Sequence, residues 1–166
     1  MAIEWMTEDC APVALDELVG ELLGTAELIV GECPAGMTVS RNDDVIREQL
    51  AVDPRSFFAG VTGNIVDQPF LIQLSMDPAL GDGEQYVSAG GVRYGNVSSA
   101  RDHGSVAMGV CGAIAWLKTA GGRLAGSGFG RWYDREDLDE LVDAFTYPGV
   151  SPIERLALIH QKIWHG

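Results

Sequence analysis

The sequence predicts an α+β fold: an antiparallel sheet covered by helices, with a C-terminal helix pair. Three observations lead there. Helical and strand-like stretches are segregated along the chain instead of alternating, which is the pattern of α+β domains. Residues 85–89 and 92–97 read as strands joined by Gly90-Gly91, and strands connected this tightly run antiparallel. The stretch 104–118 carries no charge before Lys118, so it needs apolar neighbours on every side and belongs at the centre of the core. With 166 residues, 46% of them hydrophobic, and no repeat or linker, the chain reads as a single globular domain over residues 1–166.

Taken in order, Leu15, Leu18, Val19, Leu22 and Leu23 repeat at i, i+3, i+4, i+7 and i+8, which predicts an amphipathic helix entered near Pro12 and stopped at Gly24. Residues 25–31 and 37–41 read as strands with Cys33-Pro34-Ala35-Gly36 turning between them. Asn42 is placed to cap a short helix over 43–52, with Asp43 and Asp44 in its first turn and Asp53-Pro54 closing it. Residues 57–61 fit a strand or a tight apolar turn. Residues 69–76 fit a strand with Phe70, Ile72, Leu74 and Met76 on one face, and 77–83 a loop.

Two periods compete over 104–118. The bulky residues Val106, Met108, Val110, Ile114 and Trp116 all fall on even positions, as in a strand. Three alanines, the length of the stretch and the Ala120-Gly121-Gly122 stop favour a helix. Its small residues should let other backbones approach closely. Beyond a glycine-rich stretch over 123–131, Asp134 caps a helix bearing Leu138, Leu141, Val142 and Phe145 on one face. The last helix opens with Ser151-Pro152-Ile153-Glu154, a capping box, and its predicted buried stripe is Ile153, Leu156, Ala157, His160, Ile163 and Trp164.

Charge carries the functional information. The formal net charge is −13, and it is unevenly placed: residues 1–54 hold 12 acids and two bases, residues 55–133 five acids and six bases, and the remainder seven acids and three bases. Nucleic-acid binding is disfavoured, because no basic patch exists and the net field repels phosphates. No signal peptide and no apolar run of about 20 residues is evident, and three cysteines without a C-x-x-C read as free thiols, so a cytoplasmic location is expected with no membrane partner.

No catalytic, cofactor or metal motif is recognised, so neither an enzyme nor a cofactor is expected. Asp102-His103 and Cys111 are the residue types of a thiol nucleophile with its base, but eight residues on one helix span about 12 Å. His160 and His165, five apart, do not present both rings to one ion. The sequence Gly126-Ser127-Gly128-Phe129-Gly130, flanked by Arg123 and Arg131, lacks the spacing of either dinucleotide or P-loop fingerprints.

A surface for a basic protein partner is the expectation that remains. The candidate partner-binding residues are Asp16, Glu17 and Glu21 opposite the apolar face of the first helix; Asp43, Asp44 and Glu48; and the large rings Trp132 and Tyr133. Glu17 and Glu21 are a like-charge i, i+4 pair, a local cost that a basic partner would reverse. In size, acidity and architecture the chain resembles bacterial immunity proteins, the inhibitor halves of toxin–inhibitor pairs. That resemblance implies a cytoplasmic inhibitor, possessing no cofactor, whose opposite field steers a basic toxin domain onto it. Two alternatives stay open: a small enzyme with a site near Arg101, His103 and the glycine-rich 121–130 loop, or a structural, oligomerising module.

Overall fold

The structure, a computed structural model, describes residues 3–78 and 93–165. In chain order the elements are β1 (Ile3–Cys10), α1 (Leu15–Val30), β2 (Ala35–Arg41), α2 (Arg47–Val52), β3 (Phe57–Ile65), β4 (Gln68–Pro78), β5 (Arg93–Ser99), α3 (His103–Ala120), β6 (Arg123–Gly126), α4 (Leu138–Ala144) and α5 (Pro152–His165). The six strands form one sheet in the order β2-β3-β4-β5-β1-β6, with every neighbouring pair antiparallel. The α+β class follows, with α1, α3, α4 and α5 as the helical layer.

Strand alternation decides which face the helices cover. Phe57, Ala59 and Val61 of β3, Ile72, Leu74 and Met76 of β4, Val97 of β5, and Ile3 and Trp5 of β1 are buried, whereas Thr62, Leu71, Gln73, Tyr94 and Met6 between them are exposed. The 104–118 stretch is helical, and α3 is buried from Gly104 to Leu117 between the sheet and the other helices. Asp102 starts it by accepting the Ser105 N–H at 3.0 Å, and Ser105 Oγ in turn accepts the Leu71 N–H at 2.9 Å, which pins the helix to β4.

The small residues of α3 allow reciprocal packing with the sheet. The indole of Trp5 occupies the space a Cβ would need at Gly109, and Trp116 occupies the corresponding space at Gly95. Trp116 also stacks on Phe57, with ring centroids 5.7 Å apart. Large side chains from each layer therefore fill positions left empty in the other, and the helix axis can lie close to the strands.

Several local expectations are corrected. Residues 25–31 are the second half of α1, not a strand: Thr25, Ala26, Ile29 and Val30 continue the buried stripe, and the helix ends at Gly31 in the left-handed region at φ 91°. Gly24 faces open space, so its helix penalty of about 1 kcal/mol is outweighed by burial of that stripe. The helix predicted over 43–52 is reduced to α2, because Asp43 bonds Arg41 instead of serving a helix start.

Strand β1, absent from the sequence expectation, lies between β5 and β6. The open choice at 57–61 resolves into β3, which extends to Ile65 and turns into β4 through Val66 and Asp67, both at positive φ (50° and 58°). In α5 the buried residues are Leu156, Ile159 and Ile163, while Ile153, Ala157 and Trp164 face outward. The expected strand over 85–89 and its Gly90-Gly91 turn lie outside the described residues.

Candidate partner-binding cleft

Strand β2 forms one edge of the sheet, and α1 does not extend fully over it. Val39 pairs with Val61 and Arg41 with Ala59, so both side chains are on the helix side of the sheet. Val61 and Ala59 are wholly covered there, but Val39 remains 40% exposed. The uncovered strip becomes a cleft of about 770 Å³. One wall is the entry to α1, with Val13, Leu15, Asp16 and Val19; the other is β2 with Val39 and Arg41; Pro54, Arg55 and Phe57 close it. Its volume lies in the range of ligand pockets, and its lining is mostly apolar.

The two arginines in the walls are already engaged. Arg41 Nε lies 3.2 Å from Asp43 Oδ1, and its Nη2 donates to the Ser56 carbonyl at 3.4 Å. Arg55 bonds the buried carboxylate of Asp53 through Nε and Nη2, at 3.2 and 3.4 Å. Neither cation is offered outward unopposed, so the walls do not define an anion site. Asp16, by contrast, lines the cleft and makes no ion pair among the described residues; its Oδ1 accepts only the Glu17 N–H, at 3.1 Å. Ala14 leaves the start of α1 without a side-chain cap, so Asp16 and Glu17 also sit favourably in the field of its first turn.

The predicted acids separate into three groups. Asp16 lines the apolar cleft, Glu17 follows it on α1, and Arg41 holds Asp43 at the opposite wall. Asp44 pairs with Arg47 at 2.8 Å, but both side chains are at least 80% exposed, a contact of small net worth that a partner's cation can replace. Glu21 pairs with Lys118 of α3 at 3.2 Å, and Glu48 is exposed on α2, without an ion pair among the described residues.

Trp132 and Tyr133 lie at the opposite edge of the sheet. Tyr133 bridges β6 through its backbone, stacks edge-on against Phe129 with centroids 5.9 Å apart, and donates its hydroxyl to the Phe129 carbonyl at 3.2 Å. Trp132 lies under the Arg123 guanidinium, 4.6 Å from ring centroid to Cζ. These rings and the α1 acids therefore do not share one site.

The residues of the enzyme alternative gather differently. His103 and His160 have ring centroids 4.4 Å apart, and Arg101 lies over Trp164, while Gly128 of the glycine-rich turn packs under Ile163. Asp102 is spent as the cap of α3. Burial pushes the Cys111 thiol up to about 12, so it stays protonated and behaves as a small apolar group. Among the described residues no three His, Cys, Asp or Glu side chains are grouped to hold a metal, and no helix is long and apolar enough to cross a membrane.

Known protein-family models, curated proteins and solved structures were compared with the chain, and none matches. Sequence reasoning identified Asp16, Glu17 and Asp43 but missed the apolar residues between them, Val13, Val39 and Phe57. The available signal was Val39 two residues before Arg41 in a strand already predicted, beside an acidic helix.

Proposed function

We propose that the chain is a binding protein of the inhibitor type that neutralises a basic protein partner in the cytoplasm, as immunity proteins do. The observation that carries this reading is an apolar cleft with Asp16 in one wall and Arg41, already paired with Asp43, in the other. An apolar centre with a charged rim is the usual anatomy of a specific protein interface. The partner contributes an apolar side chain to Val39, Val19 and Phe57, and lysine or arginine beside it to Asp16 and Glu17. The surplus of −13 speeds the encounter, and the cleft supplies lasting contact.

The test is differential capture. The immobilised chain and its Asp16→Lys, Glu17→Lys variant are exposed to the same lysate of the producing cell at low salt, and retained proteins are eluted by raising it. A basic protein held only by the unaltered chain, released by salt, and inhibited when the chain is added back supports the reading. Identical retention by both forms overturns it.

A further inference from the structure

The two edges of the sheet are treated differently by the fold. At β6 the edge strand is only four residues long, and Tyr133 pairs with its outer side: Leu124 N donates to the Tyr133 carbonyl at 2.7 Å and Tyr133 N to the Leu124 carbonyl at 2.8 Å. At β2 the edge strand has seven residues, nearly all exposed, and among the described residues nothing pairs with its outer side. Nor do its side chains discourage pairing. From Ala35 to Ser40 it contains no charge and no proline, and Met37, Thr38 and Val39 favour extended backbone. A fold that closes one edge and leaves the longer one open beside an apolar cleft of about 770 Å³ has a place for an added strand.

We infer that the partner binds by strand addition: an extended basic segment pairs with the outer edge of β2 as a seventh strand. The inference rests on reading the cleft as the partner's site, and it specifies how that site is filled. A strand beside β2 projects alternate side chains to the helix side, spaced about 6.8 Å apart, and these enter the cleft. An apolar residue at the middle position meets Val39, Val19 and Phe57. Basic residues two places away on either side are drawn to Asp16 and Glu17 on α1 and to Asp43 beyond Arg41, whose exposed pair with Asp43 is of small net worth and exchanges for the added cation. The intervening residues face away from the cleft and are less constrained. A second copy of this chain is a poor occupant, because edge-to-edge pairing about a two-fold axis brings the same carboxylates toward one another.

The experiment uses the full chain and an acetylated, amidated hexapeptide, Lys-Thr-Val-Thr-Lys-Thr, followed by fluorescence anisotropy at low salt. Two N-methylated forms are compared with it, one methylated on the lysines and valine and the other on the threonines. Strand addition predicts that one form loses at least ten-fold in affinity, because its methyl groups replace the N–H donors facing β2, while the other stays within two-fold of the parent. Equal binding of all three forms overturns strand addition, and if that binding is still released by salt the acidic-cleft reading survives. Binding that ignores both salt and Asp16→Asn overturns the acidic-cleft reading instead. No detectable binding of the parent peptide, or a stable homodimer that it fails to open, overturns the strand-addition inference.

Discussion

Tyr133 pairs with Leu124 through two backbone hydrogen bonds, and in doing so closes the outer edge of β6. The ring is held by Phe129 on its edge and by Arg131, whose Cζ is 4.0 Å from the ring centroid. Tyr133→Ala removes those ring contacts and the hydroxyl bond to Phe129, and should cost about 2 kcal/mol in urea denaturation. Capture of a basic partner should be unchanged, since the cleft is at the other edge. Weakened capture at undiminished stability would place this aromatic pair in the interface after all.

The glycines of α1 and α3 should respond in opposite directions to alanine. At Gly109 an added Cβ meets the ring of Trp5, and that indole cannot yield easily because its Nε1 donates to the Ser127 carbonyl at 3.1 Å. Gly109→Ala is expected to lose about 2 kcal/mol despite its better helix propensity. At Gly24 nothing lies within 4 Å, so Gly24→Ala should gain about 1 kcal/mol. Thermal melts of the two variants check both signs; a stabilised Gly109→Ala would contradict the packing of Trp5 against α3.

Asp77 gives a pH dependence with a definite sign. Burial without a hydrogen bond to Oδ1 raises its pKa above the usual aspartate value of 3.8. A carboxyl whose folded pKa is raised contributes stability below its unfolded pKa, and that contribution is lost as pH rises through the folded value. Asp77→Asn should therefore stabilise the protein at neutral pH, with the advantage shrinking as pH falls toward 3.8. Denaturation curves at neutral and acid pH measure this, and a variant less stable than the parent at neutral pH would refute it.

The central helix was legible in the sequence because α3 combines freedom from charge before Lys118 with small residues, both consequences of being enclosed. The antiparallel sheet matches the expected class, although the hairpin over 85–97 that suggested it lies largely outside the described residues and the tight turn observed is the one between β3 and β4. Strand β1 was not legible: Ile3, Trp5 and Thr7 alternate correctly with Glu4 and Met6, but with Glu4, Glu8 and Asp9 in eight residues the stretch lacks the apolar, β-branched density of a recognisable central strand. Gly24 misled because helix propensity is local, whereas the burial of Ile29 and Val30 that carries α1 past it is tertiary. The Val66-Asp67 turn adopts positive φ without a glycine, so it left no punctuation to read.

The candidate site divides along the same line. Clustering of acids in the opening third was visible from charge alone. Which of them would be paired was not, because the partners of Glu21 and Asp43 depend on where Lys118 and Arg41 come to lie. A cleft formed by incomplete cover over β2 leaves only a faint trace in the sequence, Val39 two residues before Arg41 in a predicted strand. It is a relation between α1 and an edge strand, and only the assembled layers define it.

The most direct test of the account is a titration of the isotope-labelled chain with the Lys-Thr-Val-Thr-Lys-Thr peptide, following backbone amide shifts by NMR. It is run at about 10 mM and about 1 M salt, between which the screening length falls from about 30 Å to about 3 Å. The account expects the largest shifts around Asp16, Val19, Val39, Arg41 and Phe57 at low salt, and their near disappearance at high salt. Shifts gathered around Trp132 and Tyr133, or a pattern at the cleft that salt leaves unaltered, would contradict it.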